Sequence, residues 1–357
     1  MGDLVADGGD HDQWDENYFK PAAELIAERP YISTLGDHEG RDDGVLFNHF
    51  LFPELESDKL WYSFDYGMVH FISLDYRHAD SEEMKAWFSE DVEASQGRWN
   101  IVFMHRPVYN LGGHRSFWGN PVWPDLFRQH QVDVVFGGHS HIYERFMPVY
   151  SDEPGSWTIS YITTGGAGAG LYDAVQHPVL AYSKSMNHYV SVEATSGQLN
   201  IRTYEIDGAL MDSLVIAKGE DNTQSEVYLA QAIPRDELDI MGVFARAISR
   251  SLDAPPLFYR PALKRVKLKT DFLTQPVQFT LRLSDSSLVN YKMDSYSGVL
   301  VPGEELDIEL KILSKTDMQV SGWGEIDPPF RMVADYKQGA IEGTLQGKLL
   351  RMRSWGD

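Results

Sequence analysis

Four stretches of this sequence carry side chains able to hold cations or move protons. The strongest is "FGGHSHIYER", where an apolar run ends in Gly-Gly and then offers His139 and His141. Two histidines at i, i+2 on an irregular turn can aim at two neighbouring metal ions, and the glycines let the backbone turn tightly. A second stretch, "NIVFMHRPVYN", places His105 after another apolar run, and "YISTLGDHEG" places Asp37 and His38 after a third. The fourth is the opening "MGDLVADGGD", which presents Asp3. With no cysteine in the chain, thiol nucleophiles, disulfides and zinc knuckles are excluded, so any metal must sit on imidazole and carboxylate.

These side chains must be positioned by regular elements. From Pro30 to about Ala217, short β-rich runs alternate with helical stretches, the pattern of a layered α/β domain. "YISTL", "VHFISLDY", "WNIVFMH", "VDVVFGG" and "WTISYITT" read as strands. "PAAELIAE", "SEEMKAWFSEDVEAS" and "PVWPDLFRQH" read as the intervening helices. In open α/β sheets ligands gather outside the carboxyl ends of the strands, so the motifs are expected to converge on one rim. The stretch "HYVSVEATSGQLNIRTYEIDGALMDSLVI" reads as antiparallel, with turns at Ser196-Gly197 and Asp207-Gly208.

Taken together, "GD", "GDHE", "FMHRP" and "GGHSH" resemble, in order and spacing, the calcineurin-like metallophosphoesterases, and within them the purple acid phosphatase-like branch. The resemblance covers about the first 217 residues and extends to "WYSFDYGMVHFISLDY", "YITTGGAGAGLYD" and "HYVSVEA". It implies a dinuclear centre of two divalent ions (Zn, Mn, Fe or Mg). Asp3 bridges them, Asp37, His105 and His139 complete one site, and His141 turns to the other. It also implies hydrolysis of phosphate monoesters or diesters by a metal-bound hydroxide attacking phosphorus in line, coordination having lowered the pKa of water from about 15.7 to about 7. His38 is then the group over the leaving oxygen, an assistance typically worth about 10²–10⁴ in rate. His114 is expected to face substrate, Tyr109 to wall the pocket, and Glu39 to orient the motif from behind.

The sequence departs from the family pattern at three points. Ala6 stands where the purple acid phosphatases place an iron-binding tyrosine, which favours divalent metals. Asp37 stands where the family usually has asparagine, adding one negative charge to that site. No Asp-x-Gly or Asp-x-His strand precedes Asp3, so Met1 reads as an internal start or fragment boundary and one well-formed metal site is expected in this chain. The alternative is a truncated, non-catalytic remnant of the fold that binds metal or phosphate.

Composition frames these readings. At 43% hydrophobic, 357 residues can bury a core and fit two domains. A net charge of -22 disfavours nucleic acid as a bulk partner. No apolar run is long enough to span a bilayer, and location is open: secretion or a periplasmic site is implied only by the resemblance, with no signal peptide in this sequence. Residues 1–218 are read as the phosphoesterase domain, 219–260 as linker and helix, and 261–357 as a β-sandwich, because "VQFTLRL" and "LDIELKI" alternate with period two. His70, mid-strand in "MVHFISL", and His188 read as structural, and "GGAGAG" reads as a rim loop. Oligomeric state is not legible.

Overall fold

The computed structural model describes residues 1–120, 122–248, 262–271, 273–284, 291–314 and 332–347. It contains two compact units, Met1–Arg235 and Asp236–Asp357. Helices of the first unit are α1 (His11–Gln13), α2 (Lys20–Glu28), α3 (Val45–Leu51), α4 (Glu82–Ala94), α5 (Val122–Gln129) and α6 (Glu226–Leu229). Its strands are β1 (Tyr62–Tyr66), β2 (Val69–Leu74), β3 (Trp99–Met104), β4 (Val134–Gly137), β5 (Tyr143–Phe146), β6 (Val149–Tyr150), β7 (Thr158–Thr164), β8 (Leu180–Lys184), β9 (His188–Ala194), β10 (Gln198–Glu205), β11 (Leu210–Ala217) and β12 (Ile233–Pro234).

One mixed sheet runs β1-β2-β3-β4-β7-β5-β8. Its centre, β2 to β7, is parallel, which requires crossovers between neighbours, and α4 and α5 supply two of them. The β2, β3 and β4 runs are almost wholly buried, as expected of strands covered on both faces. A second, antiparallel sheet, β11-β10-β9, packs Leu199, Ile201, Leu214 and Ile216 against Trp99, Ile101, Phe103 and Phe136 of the first. Helix α4 begins at Ser81, whose hydroxyl accepts from the Met84 N–H, and buries Met84, Phe88 and Val92 at i, i+4, i+8. Phe88 meets Trp123 and Phe127 of α5 edge-on.

One local expectation changes, and one strand is added. "YISTL" forms no ladder: residues 31–36 have no regular structure, the Tyr62 hydroxyl donates to the Ser33 carbonyl, and the Thr34 hydroxyl donates to that of Leu74. β1, in contrast, pairs with β2 through a two-residue turn at Gly67 that reading by apolar runs passes over.

In the second unit, α7 (Arg235–Ile248) buries Leu238, Met241, Ala245 and Ile248; the fifth expected face residue, Leu252, lies outside the described residues. Its strands are β13 (Ala262–Lys269), β14 (Val277–Leu283), β15 (Tyr291–Met293), β16 (Tyr296–Leu300), β17 (Glu305–Ser314), β18 (Met332–Gln338) and β19 (Ile341–Gln346). They form two antiparallel sheets, β13-β17-β15 and β16-β14-β18-β19. Phe244 of α7 stacks on Tyr336 and packs on Phe279. The architecture is therefore mixed α/β with an additional all-β region. Among the described residues, no helix is long and apolar enough to cross a membrane.

Candidate metal centre

Parallel register brings the first two site residues together. Met104 and Gly137 are neighbours across β3 and β4, so the chains leaving those strands run side by side. The Gly138 N–H donates to the His105 carbonyl at 2.8 Å, and the rings of His105 and His139 lie 5.1 Å apart. Asp3 completes a group with them in which the ligand atoms all lie within 4.8 Å of one another. Asp37 stands beside it: its Oδ2 is 3.3 Å from His139 Nδ1 and its Oδ1 3.8 Å from His105 Nε2.

The loops that carry the carboxylates are held by Glu39, a wholly buried side chain. It accepts from the backbone N–H groups of Asp3, Leu4, Val5 and Gly36. Burial raises its pKa, and the backbone donors work in the opposite direction. Close approach is enforced at Gly36, where a Cβ would fall 2.1 Å from the Asp3 nitrogen. Asp3 and His139 both adopt left-handed backbone conformations, with φ of 54° and 61°. Such strain costs on the order of 1–3 kcal/mol per residue and clusters where function requires it.

Two of the ligand candidates, His105 and Asp3, have one polar atom fixed by a bond and the other turned toward the centre. His105 Nδ1 meets the Met1 carbonyl at 2.8 Å, leaving Nε2 toward Asp3 Oδ2 at 3.3 Å. That Nε2 is buried and has no hydrogen-bond partner. Asp3 Oδ1 accepts from the His38 N–H, while Oδ2 faces the imidazoles. Burial opposes the Asp3 charge, but the nearby His105 imidazole and the bond from the His38 backbone outweigh it and hold the carboxyl down to about 2. Burial, assisted by the nearby His105, holds His139 down to about 4, so it is a neutral lone-pair donor near pH 7.

The remaining expected residues line the edge. His38 Nδ1 bonds the Ala6 carbonyl, and its Nε2 lies 3.9 Å from Asp3 Oδ2. The His114 ring stacks on His139 at 5.1 Å, and its Nε2 meets the Tyr172 hydroxyl at 2.9 Å. His141 is outside the group of three; its Nδ1 meets the Gly170 carbonyl, and its ring lies parallel to Tyr172 at 4.4 Å. This bond directs Nε2 outward as the available lone pair. Tyr109 is a correction. It is 2% exposed and edge-on to Tyr161, a packing residue rather than a pocket wall.

Sequence reasoning passed over Tyr172, the Gly170 carbonyl and Arg106, whose guanidinium forks onto Asp37. The rim position of "GGAGAGLYD" was the available signal for the first two. The donor set of carboxylates and imidazoles, with one buried imidazole nitrogen unmet, suits a borderline-hard divalent cation.

Comparison with known proteins agrees. Residues 1–143 match the calcineurin-like phosphoesterase family. Purple acid phosphatase 21 of Arabidopsis thaliana is 33% identical over 165 residues, covering 40% of this chain and 37% of that protein. Probable inactive purple acid phosphatase 27 of the same plant is 32% identical over 212 residues, covering 48% of this chain and 34% of that protein. The chain thus spans well under half the length of these relatives. In structure, the purple acid phosphatase from yellow lupin (Lupinus luteus) seeds superposes with a TM-score of 0.55 at 25% identity, over 62% of this chain and 46% of that one. Over residues 1–143 the chain is similar to the calcineurin-like phosphoesterases, and over part of its length to the purple acid phosphatases.

Proposed function

We propose that this protein hydrolyses small phosphate esters with the help of divalent cations held by Asp3, Asp37, His105 and His139, with His141 serving a neighbouring ion. The observation that carries this reading is the convergence of Asp3, His105 and His139, whose ligand atoms lie within 4.8 Å of one another, with both oxygens of Asp37 beside the two imidazoles. Cations bound there supply positive charge to the phosphate oxygens and acidify coordinated water. The chain's own groups do the rest. Glu39 fixes the carboxylate loops, and His114, stacked on His139, faces the phosphate. His38, anchored through Nδ1 on the Ala6 carbonyl, presents Nε2 to the leaving oxygen and gives it a proton when the ring is charged.

A second reading, a non-catalytic protein of the same fold that binds metal or phosphate, is favoured by one observation: a 32% identical relative is named probable inactive. One experiment separates the two. The protein is loaded with Mn²⁺ or Zn²⁺, bound metal is counted by elemental analysis, and p-nitrophenyl phosphate turnover is followed. Metal-dependent release of p-nitrophenol that EDTA abolishes is the expected result. Stoichiometric metal without turnover would establish the second reading instead.

A further inference from the structure

Arg106 directly follows a candidate ligand, yet its own chemistry points elsewhere. Its Nε and Nη2 donate to Asp37 Oδ1 and Oδ2, both at 2.9 Å, a bidentate fork. The guanidinium lies over the Tyr76 ring, 4.9 Å from its centroid, and the side chain is 44% exposed. These contacts use two of its five N–H groups. The pair on Nη1 has no acceptor among the described residues.

The same two carboxylate oxygens also face the imidazoles, Oδ2 3.3 Å from His139 Nδ1 and Oδ1 3.8 Å from His105 Nε2. Arg106 is therefore fixed at the lip of the centre, one carboxylate away from the imidazoles, with an unused donor edge. The electrostatic setting gives that edge a task. Asp3, Asp37 and a net charge of -22 all oppose the approach of a phosphate dianion. Asp37 adds to this opposition, and the fork of Arg106 offsets its charge while leaving donors to spare.

We infer that Arg106 is a substrate-anchoring residue: Nε and Nη2 stay on Asp37 while the Nη1 edge binds a non-bridging phosphate oxygen, which favours monoesters, with their dianionic phosphate, over diesters. The assignment of the ligand as a phosphate ester rests on the function proposed above.

The test compares wild type, Arg106→Ala and Arg106→Lys, each loaded with Mn²⁺. Inorganic phosphate binding is measured by calorimetry, bound metal by elemental analysis, and kcat/KM with p-nitrophenyl phosphate and bis(p-nitrophenyl) phosphate. Arg106→Ala is expected to weaken phosphate binding by about 10- to 100-fold, the range of a hydrogen bond to a charged group. Bound metal stays at the wild-type level, monoester kcat/KM falls more than diester kcat/KM, and Arg106→Lys recovers part of the loss through its point charge. Phosphate affinity within about twofold of wild type would overturn the inference. So would loss of metal from Arg106→Ala sufficient to account for weaker phosphate binding, since Arg106 would then be only a brace for Asp37. A wild-type protein that binds phosphate but cleaves neither ester refutes the hydrolytic reading, and the calorimetry still decides the role of Arg106.

Discussion

His70, within β2, and His105, one residue past β3, are both buried, but they lie at opposite edges of that pair of parallel strands. At the amino edge, His70 of β2 places Nδ1 2.7 Å from Asp65 and Nε2 2.9 Å from Asp91, which also accepts from the Ser63 hydroxyl. Every polar atom of that ring is met. Following β3 at the carboxyl edge, His105 has one nitrogen on a carbonyl and the other without a hydrogen bond, 3.3 Å from Asp3 Oδ2. A buried imidazole with both nitrogens bonded is a structural strut, whereas one with a bare nitrogen between carboxylates is prepared for a cation. The same side chain thus has two destinies, set by which end of the strands it occupies.

The contrast can be broken most sharply at His105. His105→Ala is expected to weaken Mn²⁺ or Zn²⁺ binding by more than about 100-fold, exceeding the effect of outer partners. Calorimetric titration measures it. Metal affinity unchanged from wild type would place His105 with His70 as a strut. Next in size is Glu39→Gln. The substituted amide turns an N–H₂ toward the N–H groups of Asp3 and Gly36, and metal affinity should fall by about 10- to 100-fold. Unchanged affinity would show that the carboxylate loops hold without the clamp.

His70→Gln should leave metal affinity within about twofold while costing about 1–3 kcal/mol of stability through its two broken bonds. It also carries a pH signature. Burial pulls the His70 pKa down, but the hydrogen bonds its ring donates to Asp91 and Asp65 outweigh it and raise the pKa above the ordinary value. Folding therefore favours the protonated ring. That contribution is complete below the unfolded value near 6.5 and is lost as pH rises through the raised folded value. Urea titrations between pH 6 and pH 9 should show this slope in the wild type and not in the variant.

Much of this contrast was legible in the sequence. "MVHFISL" places its histidine inside a strand and "FMHRPVY" places its histidine just past one, which separates the expected strut from the proposed ligand without any structure. The central strands were legible because continuous apolar runs bounded by polar turns mark buried parallel strands. "YISTL" has the same look, yet 31–36 form no ladder, since apolar composition does not specify which strand lies alongside. Tyr109 reads from the sequence as a pocket-wall candidate, but four residues of chain past His105 are enough to carry its ring into the core. The forks and clamps, Arg106 on Asp37 and Glu39 on Asp3, join positions 69 and 36 residues apart, and no local pattern encodes such meetings.

Asp3 comes from the opening loop and Asp37 from another, yet the two carboxylates reach the same pair of imidazoles. What sets their separation is the bare α-carbon of Gly36, which lets the opening loop rest directly on its backbone. A single hydrogen atom thereby acts as the gauge for the whole centre. Even a methyl group there would wedge the loops apart and spread the charges that a cation has to bridge.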